Sequence, residues 1–512
     1  MAEYETLAAI DLGSNSFHCQ VARVVGDQFY PLDNLREPIR LGAGLGPDKL
    51  LEEPAQERAL ACLHRFGERL RGLDRHAVRA VGTNTLRVAK NARAFLKLAQ
   101  DALGFPIEVI AGREEARLIF IGVQHGLPPT RDERLVVDIG GGSTEFIVGA
   151  RFKPARLASL YMGCVSYSMR YFPEGRLTRA AFKRAELAAR NELQPIASEF
   201  SSRHWAEAIG SSGTARALAE IAQANGFGDG TITPAALDKL RASLTRAGDT
   251  DHLVLTGVKP DRVPVLPGGL AILSAVLSEL SIERMTVASG GMREGLLYDL
   301  LGRVHRHDMR DVTVAQFMQR YHVDAPQARR VCALAQSLYR KLVASDRDFD
   351  EADALRLGWA AKLHEIGISV AYSGYHKHSA YILEKADMPG FSRDEQAQLA
   401  MLVLAHRRSI RKIQPRLEGA VDWRSVLALR LAALFYRGRT DASLPSIQPK
   451  AQGRKFRVNV DPDWLARNPL TATALRDESL EWERIGIELR VPGLEDLDPA
   501  ADPAVSLSMT DE

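Results

Sequence analysis

Between Arg134 and Ala150 the chain reads RLVVDIGGGSTEFIVGA: a β run, an acid, three glycines, two hydroxyls and a second acid. Gly140, Gly141 and Gly142 carry no Cβ, so their N–H groups can come close to an anion, and Ser143 and Thr144 add hydroxyl donors. Phosphate fits such a turn. Asp138 and Glu145 do not belong beside it unless a divalent cation lies between carboxylate and phosphate, which makes them the candidate metal ligands and Mg2+ the candidate ion. A single glycine-rich hairpin would carry little weight, but the motif occurs twice. In AAIDLGSNSFHCQVA, Ala8 to Ala22, Asp11 falls on Asp138, Gly13 on Gly140 and Ser16 on Ser143, each offset by 127 residues (138 − 11), with Ser14 and Asn15 completing the turn. A twofold repeat of strand, turn and strand predicts two similar lobes, each presenting a phosphate-gripping hairpin to a shared cleft.

The elements that must position these hairpins can be read around them. Gln28 to Tyr30 reads as a strand, Leu41 to Pro47 as a loop, and Pro54 to Leu70 as a helix with apolar residues at helical spacing. AVRAVGTNTLRVAKNARAFL, from Ala77, predicts a strand, a polar turn and a helix with Arg87 in its first turn. PIEVIAGREEARLIFIGV, Pro106 to Val123, repeats that plan and places Glu114 and Glu115 in a first helical turn. Successive helical side chains diverge by about 100°, so only one of the pair can face a cleft. A long helix is expected over about 178–200. EAIGSSGTARALAEI from Glu207 offers Gly210 and Gly213 for a turn and Ser211, Ser212 and Thr214 to hold or cap a ligand. MTVASGGMREGLLYDLL from Met285 adds Gly290 and Gly291. Four such turns are expected to point at one cleft.

The repeat resembles the superfamily of acetate and sugar kinases, heat-shock proteins and actin. Within it, DLGSNSFH and DIGGGSTE are similar to the exopolyphosphatase and guanosine pentaphosphate phosphohydrolase family, and the resemblance runs along essentially the whole chain. It implies an α/β fold of two actin-like (ribonuclease H-like) lobes around a phosphate cleft, residues 1–125 and 126–304. An all-α HD-like domain over 305–435 and a small C-terminal α/β domain over 436–512 would follow. It further implies that Glu115 is the catalytic base and that Arg87 faces the bound phosphate. The turn Ser211, Ser212, Gly213, Thr214 would take the far side of a phosphate or nucleotide. The cofactor would be Mg2+, with a monovalent cation as an optional companion, and the assembly a homodimer.

LHEIG at Leu363, HKHSAYIL at His376 and LAHRR at Leu404 resemble the helical metal-dependent phosphohydrolase domain named for its His-Asp pair. Here Glu365 takes the place of that aspartate, Gln327 that of the first histidine, and LALRLAALFYR supplies no closing Asp. Too few ligands remain for a two-metal site, which predicts a catalytically inactive relative used for binding. The same stretch is basic. His376, Lys377, His378, Arg407, Arg408, Arg411 and Lys412 are the expected track for a long polyanion.

At 512 residues the chain should divide into several domains, and its 46% hydrophobic and 26% charged residues are those of a soluble globular protein. A net charge of +3 points to no nucleic-acid partner, so any polyanion site must be local. No apolar run is long enough to cross a bilayer, and the N-terminus lacks a basic segment before an apolar one. Cys19, Cys62, Cys164 and Cys332 lie far apart without CxxC spacing, which predicts reduced thiols in a cytoplasmic protein, peripheral membrane association remaining open. From Lys450 a β-rich tail is expected, with a polar end from about Asp498. Three functions compete: hydrolysis of terminal phosphates from inorganic polyphosphate, the same reaction on guanosine pentaphosphate (pppGpp), and a kinase or actin-like ATPase. Nothing in the sequence speaks for an adenine pocket, while GGGSTE, HKHSAYIL and LAHRR look like the polyphosphatase branch.

Overall fold

The structure, a computed structural model, describes residues 4–25, 28–128, 130–304, 308–344, 351–418, 421–441 and 443–494. The pattern change at His305 and the tail from Asp498 lie outside them. The chain forms two compact units, one of Met1–Met309 with Pro389–Arg393, the other of Arg310–Met388 with Asp394–Glu512.

In the first unit β1 (Thr6–Leu12), β2 (Phe17–Val25) and β3 (Gln28–Glu37) form an antiparallel meander. There follow α1 (Glu53–Leu70), β4 (Val78–Gly82), α2 (Asn84–Val88), α3 (Ala92–Leu103), β5 (Ile107–Val109) and α4 (Gly112–His125). The sheet order is β3-β2-β1-β4-β5, with β4 and β5 parallel to β1. The second half repeats the plan with β6 (Arg134–Ile139), β7 (Thr144–Ala150), β8 (Lys153–Leu160), α5 (Cys164–Tyr171), α6 (Arg179–Leu193) and β9 (Glu207–Gly210). It continues through α7 (Gly213–Ala224), α8 (Pro234–Ala247), α9 (Leu266–Glu279), β10 (Met285–Val287) and α10 (Met292–Val304). Its order, β8-β7-β6-β9-β10, is that of the first sheet with β6 for β1. The molecule therefore contains the actin-like lobe twice.

Local chemistry explains most element limits. α1 has Pro54 in its first turn and buries Ala55, Ala59, Cys62, Leu63, Phe66 and Leu70 along one face. α6 starts where the Thr178 hydroxyl accepts from Ala181 N at 3.1 Å. It stops at Leu193 rather than near residue 200, because Pro195 has no backbone N–H with which to continue the i→i−4 ladder beyond Gln194. Arg87 lies on the separate short α2, not in the first turn of α3. β3 runs on to Glu37, since an edge strand pairs through its backbone and tolerates the exposed, non-alternating residues that hide it in the sequence.

The last helix of each half packs on the sheet of the other. α4 lays Ala116, Ile119, Phe120 and Val123 on Val136, Ile147 and Ile209, while α10 lays Leu296, Leu297 and Leu300 on Leu7, Ala9 and Val81. The two helices cross backbone to backbone: a Cβ on Gly295 would sit 1.8 Å from Leu118 O, and one on Gly122 1.9 Å from Gly291 O. Gly290, expected at the cleft, likewise abuts Gly122 O at 2.2 Å, so the fourth glycine turn serves this crossing.

The second unit holds α11 (Met309–Arg320), α12 (Ala325–Val343), α13 (Glu351–Leu363), α14 (Tyr375–Lys385), α15 (Arg393–Ala405), α16 (Gln414–Leu417) and α17 (Trp423–Phe435). A cap of β11 (Gln448–Gln452), β12 (Lys455–Asn459), α18 (Pro462–Arg467), α19 (Pro469–Glu483) and β13 (Glu488–Arg490) completes it. Buried Arg430 of α17 meets both oxygens of Glu478 on α19, and Trp482 Nε1 donates to the same carboxylate at 2.7 Å. Among the described residues no helix is long and apolar enough to cross a membrane, and all four cysteines are buried and free.

Candidate active site

The strand registers place Asp11 opposite His18 in the first hairpin and Asp138 opposite Glu145 in the second. The two turns meet face to face. A Cβ on Gly141 would lie 3.0 Å from Ser14 Cβ and 3.1 Å from Asn15 N, and one on Gly142 2.6 Å from Asn84 Oδ1, so glycine is what lets the turns converge. Among the described residues, the backbone N–H groups of Ser14, Asn15, Gly141 and Gly142 have no protein acceptor. The neighbouring hydroxyls are divided between site and scaffold. Ser14 Oγ accepts from Thr85 Oγ1 at 2.7 Å and the Ser211 hydroxyl donates to Asp138. Thr144 donates to Met162 O at 2.5 Å and Thr214 to Ile139 O at 3.0 Å, while Ser212 caps α7 by accepting from Ala215 N at 3.0 Å. Gly13, Ser16, Gly140, Ser143 and Gly213 complete the three turns.

Four acids surround this point. Burial, then the charge of Glu115 and of Asp138 against the pull of Arg293, raises the Asp11 carboxyl to about 7. Burial raises Asp138 to about 6, with Glu115 adding to it and the Ser211 hydrogen bond opposing it. Burial, Glu115 and Asp138 push Glu145 well above the usual carboxylate range, Arg87 opposing. Its Oε1 accepts from Ser159 Oγ at 2.9 Å. Asp11 Oδ1 and Glu145 Oε2 are buried without any hydrogen-bond partner. Orphaned carboxylate oxygens of this kind suit a hard divalent cation such as Mg2+. Among the described residues no three Asp, Glu, His or Cys side chains converge as a complete ligand set.

α4 separates its two glutamates by the expected helical angle. Glu115 faces the cleft, its Oε2 accepting from Arg87 Nη1 at 2.6 Å, while the same nitrogen donates to Ile110 O at 3.1 Å. Burial opposes the Arg87 charge, but Glu115 and Glu145 outweigh it and hold the guanidinium firmly protonated. Glu114 turns the other way. Both its oxygens accept from Arg117, at 2.8 and 2.7 Å, and Arg117 also binds Asp299 of α10. Arg79 Nη1 reaches Asp299 at 2.6 Å and Arg303 Nε at 3.3 Å.

Arginines that sequence reasoning missed ring the hairpins. Arg262 presses on the Gly213 turn, where a Cβ would meet its Nη2 at 2.4 Å, and among the described residues its guanidinium has no hydrogen-bond or ion-pair partner. Burial, then Arg36, lowers its pKa. Burial, Arg293, Arg36 and Arg262 together drive His18 down to about 3, so it is neutral. Arg36 of β3 pairs with Asp261 at 2.7 Å. Arg262 stands in an aperiodic loop, and no signal along the chain brings it to residue 213.

The model of the Ppx/GppA phosphatase family matches residues 20–304, and the model of its domain III matches 309–479. The chain belongs to the Ppx/GppA phosphatase family. Membership makes it a hydrolase acting on phosphoanhydride bonds. Among solved structures it is similar to an exopolyphosphatase from Cytophaga hutchinsonii, at 28% identity and a TM-score of 0.52 over 58% of this chain and 97% of that one. An exopolyphosphatase-like protein is similar at 26% identity and a TM-score of 0.51, over 57% of this chain and 97% of that one.

In the Ppx/GppA domain III the residues expected to be left from a His-Asp site lie in a packed core. His364 Nδ1 lies 2.7 Å from Ala361 O and His406 Nδ1 2.6 Å from Val403 O, while Tyr375 OH reaches His406 Nε2 at 3.3 Å. Glu365 pairs with Arg439 at 2.6 Å, and Gln327 Nε2 donates to Tyr436 O at 2.8 Å. Of the basic run, His376 is buried with Nδ1 unpartnered, His378 is half-buried, and Arg407 stacks 4.7 Å over the Tyr375 ring. Lys377, Arg408, Arg411 and Lys412 are exposed. Among the described residues none of these four has a carboxylate partner, so their charge is available to an anion.

Proposed function

We propose that this phosphatase hydrolyses the terminal phosphoanhydride of inorganic polyphosphate by in-line attack of water. The observation that carries the reading is the convergence of two donor-bearing hairpin turns on a point ringed by Glu115, Asp138, Glu145 and Arg87. Free N–H groups of the turns, with Ser14, Asn15, Ser16 and Ser143, bind the terminal phosphoryl, and Arg87 balances its charge. Glu115 accepts the proton of the attacking water at its carboxylate. Asp138 and Glu145, with Asp11 beside them, would hold Mg2+, which when bound would supply charge to stabilise phosphate oxygens. The similar exopolyphosphatases favour polyphosphate, and the discriminating experiment compares phosphate released from long-chain polyphosphate and from guanosine pentaphosphate at equal concentrations of substrate ends. Faster release from guanosine pentaphosphate overturns the choice of substrate.

Metal binding should register in stability. Asp11 and Asp138 titrate in the fold above the ordinary Asp value. Their contribution is therefore complete at low pH and is lost as pH rises through about 6 to 7. Without divalent ions the thermal midpoint carries this loss, and the increment added by Mg2+ grows between about pH 5 and pH 8, because the carboxylates must shed protons to ligate. Asp138→Asn should shrink the increment and raise the Mg2+ concentration needed for activity. A pH-independent increment in a scanning calorimetry series would contradict this.

Changing the exposed Lys377, Arg408, Arg411 and Lys412 to Glu should preserve hydrolysis of very short polyphosphates and weaken affinity for long ones. Each lost contact makes the salt dependence of KM shallower. Arg407 is left in place because its stacking on Tyr375 would mix packing with charge. Wild-type KM and salt slope on long chains would mean that the run is only a solvated face.

A further inference from the structure

Ser159 of β8 belongs to none of the glycine turns, yet it stands where several parts of the site meet. In the β7–β8 pairing it lies directly opposite Glu145. Residues paired in this way project from one face of a sheet with their Cβ atoms about 5 Å apart, which lets a short hydroxyl reach a longer carboxylate. The Ser159 hydroxyl donates to Glu145 Oε1 at 2.9 Å, while Oε2 of the same carboxylate is buried with no hydrogen-bond partner. The two oxygens are thus divided: one is tied to the neighbouring strand and the other is left for a ligand.

The start of α4 comes against the same hydroxyl. A Cβ on Gly112, the first residue of that helix, would stand 2.5 Å from Ser159 Oγ, 2.6 Å from Ser159 Cβ and 3.8 Å from Arg87 Nη2. Glycine at this position lets the helix begin beside β8 with the serine in place. The same helix carries Glu115, which accepts from Arg87. Ser159 therefore lies between the acid read as an ion ligand and the helix that bears the proposed base. A glutamate side chain is long and rotatable, so ordering it only when the ion arrives would cost affinity. A hydrogen bond on one oxygen fixes the carboxylate in advance.

We propose that Ser159 is a positioning residue for Glu145: its hydroxyl holds Oε1 beside the start of α4 and so keeps Oε2 ready for a divalent cation. This rests on the metal-assisted reading above. The hydroxyl is engaged with Glu145 and acts through that carboxylate.

Mn2+ is the probe, standing in for Mg2+ because electron paramagnetic resonance counts the free ion directly. Ser159→Ala should weaken Mn2+ binding about 10- to 100-fold, the usual effect of removing a group that orients a metal ligand. The Mg2+ concentration for half-maximal phosphate release from tripolyphosphate should rise in step. Thermal midpoints taken without divalent ions show that each protein is folded at the temperature of the titration. Glu145→Gln and the double variant complete a cycle, in which losing the hydroxyl should cost little further once Glu145 is changed. If wild type binds Mn2+ and Ser159→Ala binds it equally well, the assignment of Ser159 is overturned while the metal-assisted reading stands. An equal loss in the Glu145→Gln background overturns it too, because the hydroxyl then acts elsewhere. If wild type takes up no Mn2+, the metal-assisted reading falls and the assignment falls with it.

Discussion

Glu115→Gln is expected to lower kcat by about 10²- to 10⁴-fold, the range for removing a general base, and to leave KM for polyphosphate nearly unchanged. The substitution keeps the shape of the side chain and removes only its capacity to take a proton. The carboxylate is held by Arg87 at 2.6 Å, so the proposed base is oriented before substrate arrives. Gln retains a carbonyl oxygen that can accept from Arg87, so the local structure should survive, and circular dichroism with a thermal midpoint checks this. Single-turnover phosphate release is the decisive measurement. Glu114→Gln is the matched control: it sits in the ion network behind α4 and should act on stability, leaving kcat largely intact at temperatures well below its midpoint. A larger fall in kcat for Glu114→Gln than for Glu115→Gln would reverse the assignment of the base.

Arg117→Met should destabilise the first unit by about 3–5 kcal/mol, the usual consequence of stranding buried charge. Arg117 is the only described cation touching both Glu114 and Asp299. Without it Glu114 keeps the Gly390 amide, and Asp299 keeps Arg79 and Arg303. Burial pulls the Asp299 carboxyl upward, but Arg117, Arg79 and Arg303 outweigh it and hold it far below the ordinary range. A depressed carboxylate contributes stability that is present above its unfolded pKa of about 4 and is lost as pH falls toward the folded value. Wild type should therefore weaken steeply in acid, and Arg117→Met should show a flatter acid limb as well as a lower midpoint in urea. Equal midpoints at neutral pH would show that the network adds nothing beyond what methionine packing supplies.

Much of this organisation could be read from the sequence, for identifiable reasons. Asp11 and Asp138 announce themselves because a repeat at fixed offset survives without any knowledge of packing, and the strand–turn–strand rhythm around them is local. Helical geometry separates Glu114 from Glu115 in the same way. The exchange of α4 and α10 was not legible: periodicity marks Ile119 and Phe120 as one apolar face but does not say which sheet receives it. Gly290 and Gly291 look like another ligand turn because a glycine needed for a backbone crossing and one needed for an anion are identical in sequence. Arg262 lies in an irregular loop far along the chain, where only the folded path gives it neighbours. Ser159 reaches Glu145 through a strand pairing that composition does not reveal.

The matched registers of the two hairpins have one more consequence. His18 stands where its counterpart has Glu145, at the same offset and opposite the same aspartate. A doubled module begins symmetric, and a symmetric pair of acidic hairpins would draw a cation to either side and bind a phosphate chain in either sense. Neutral His18 breaks that tie. With one acid removed, the pair of hairpins is no longer equivalent, and the molecule has a direction: the second hairpin presents two carboxylates, Asp138 and Glu145, while the first presents Asp11 alone. On the polyphosphatase reading that polarity matters, because a substrate the same at every link supplies none.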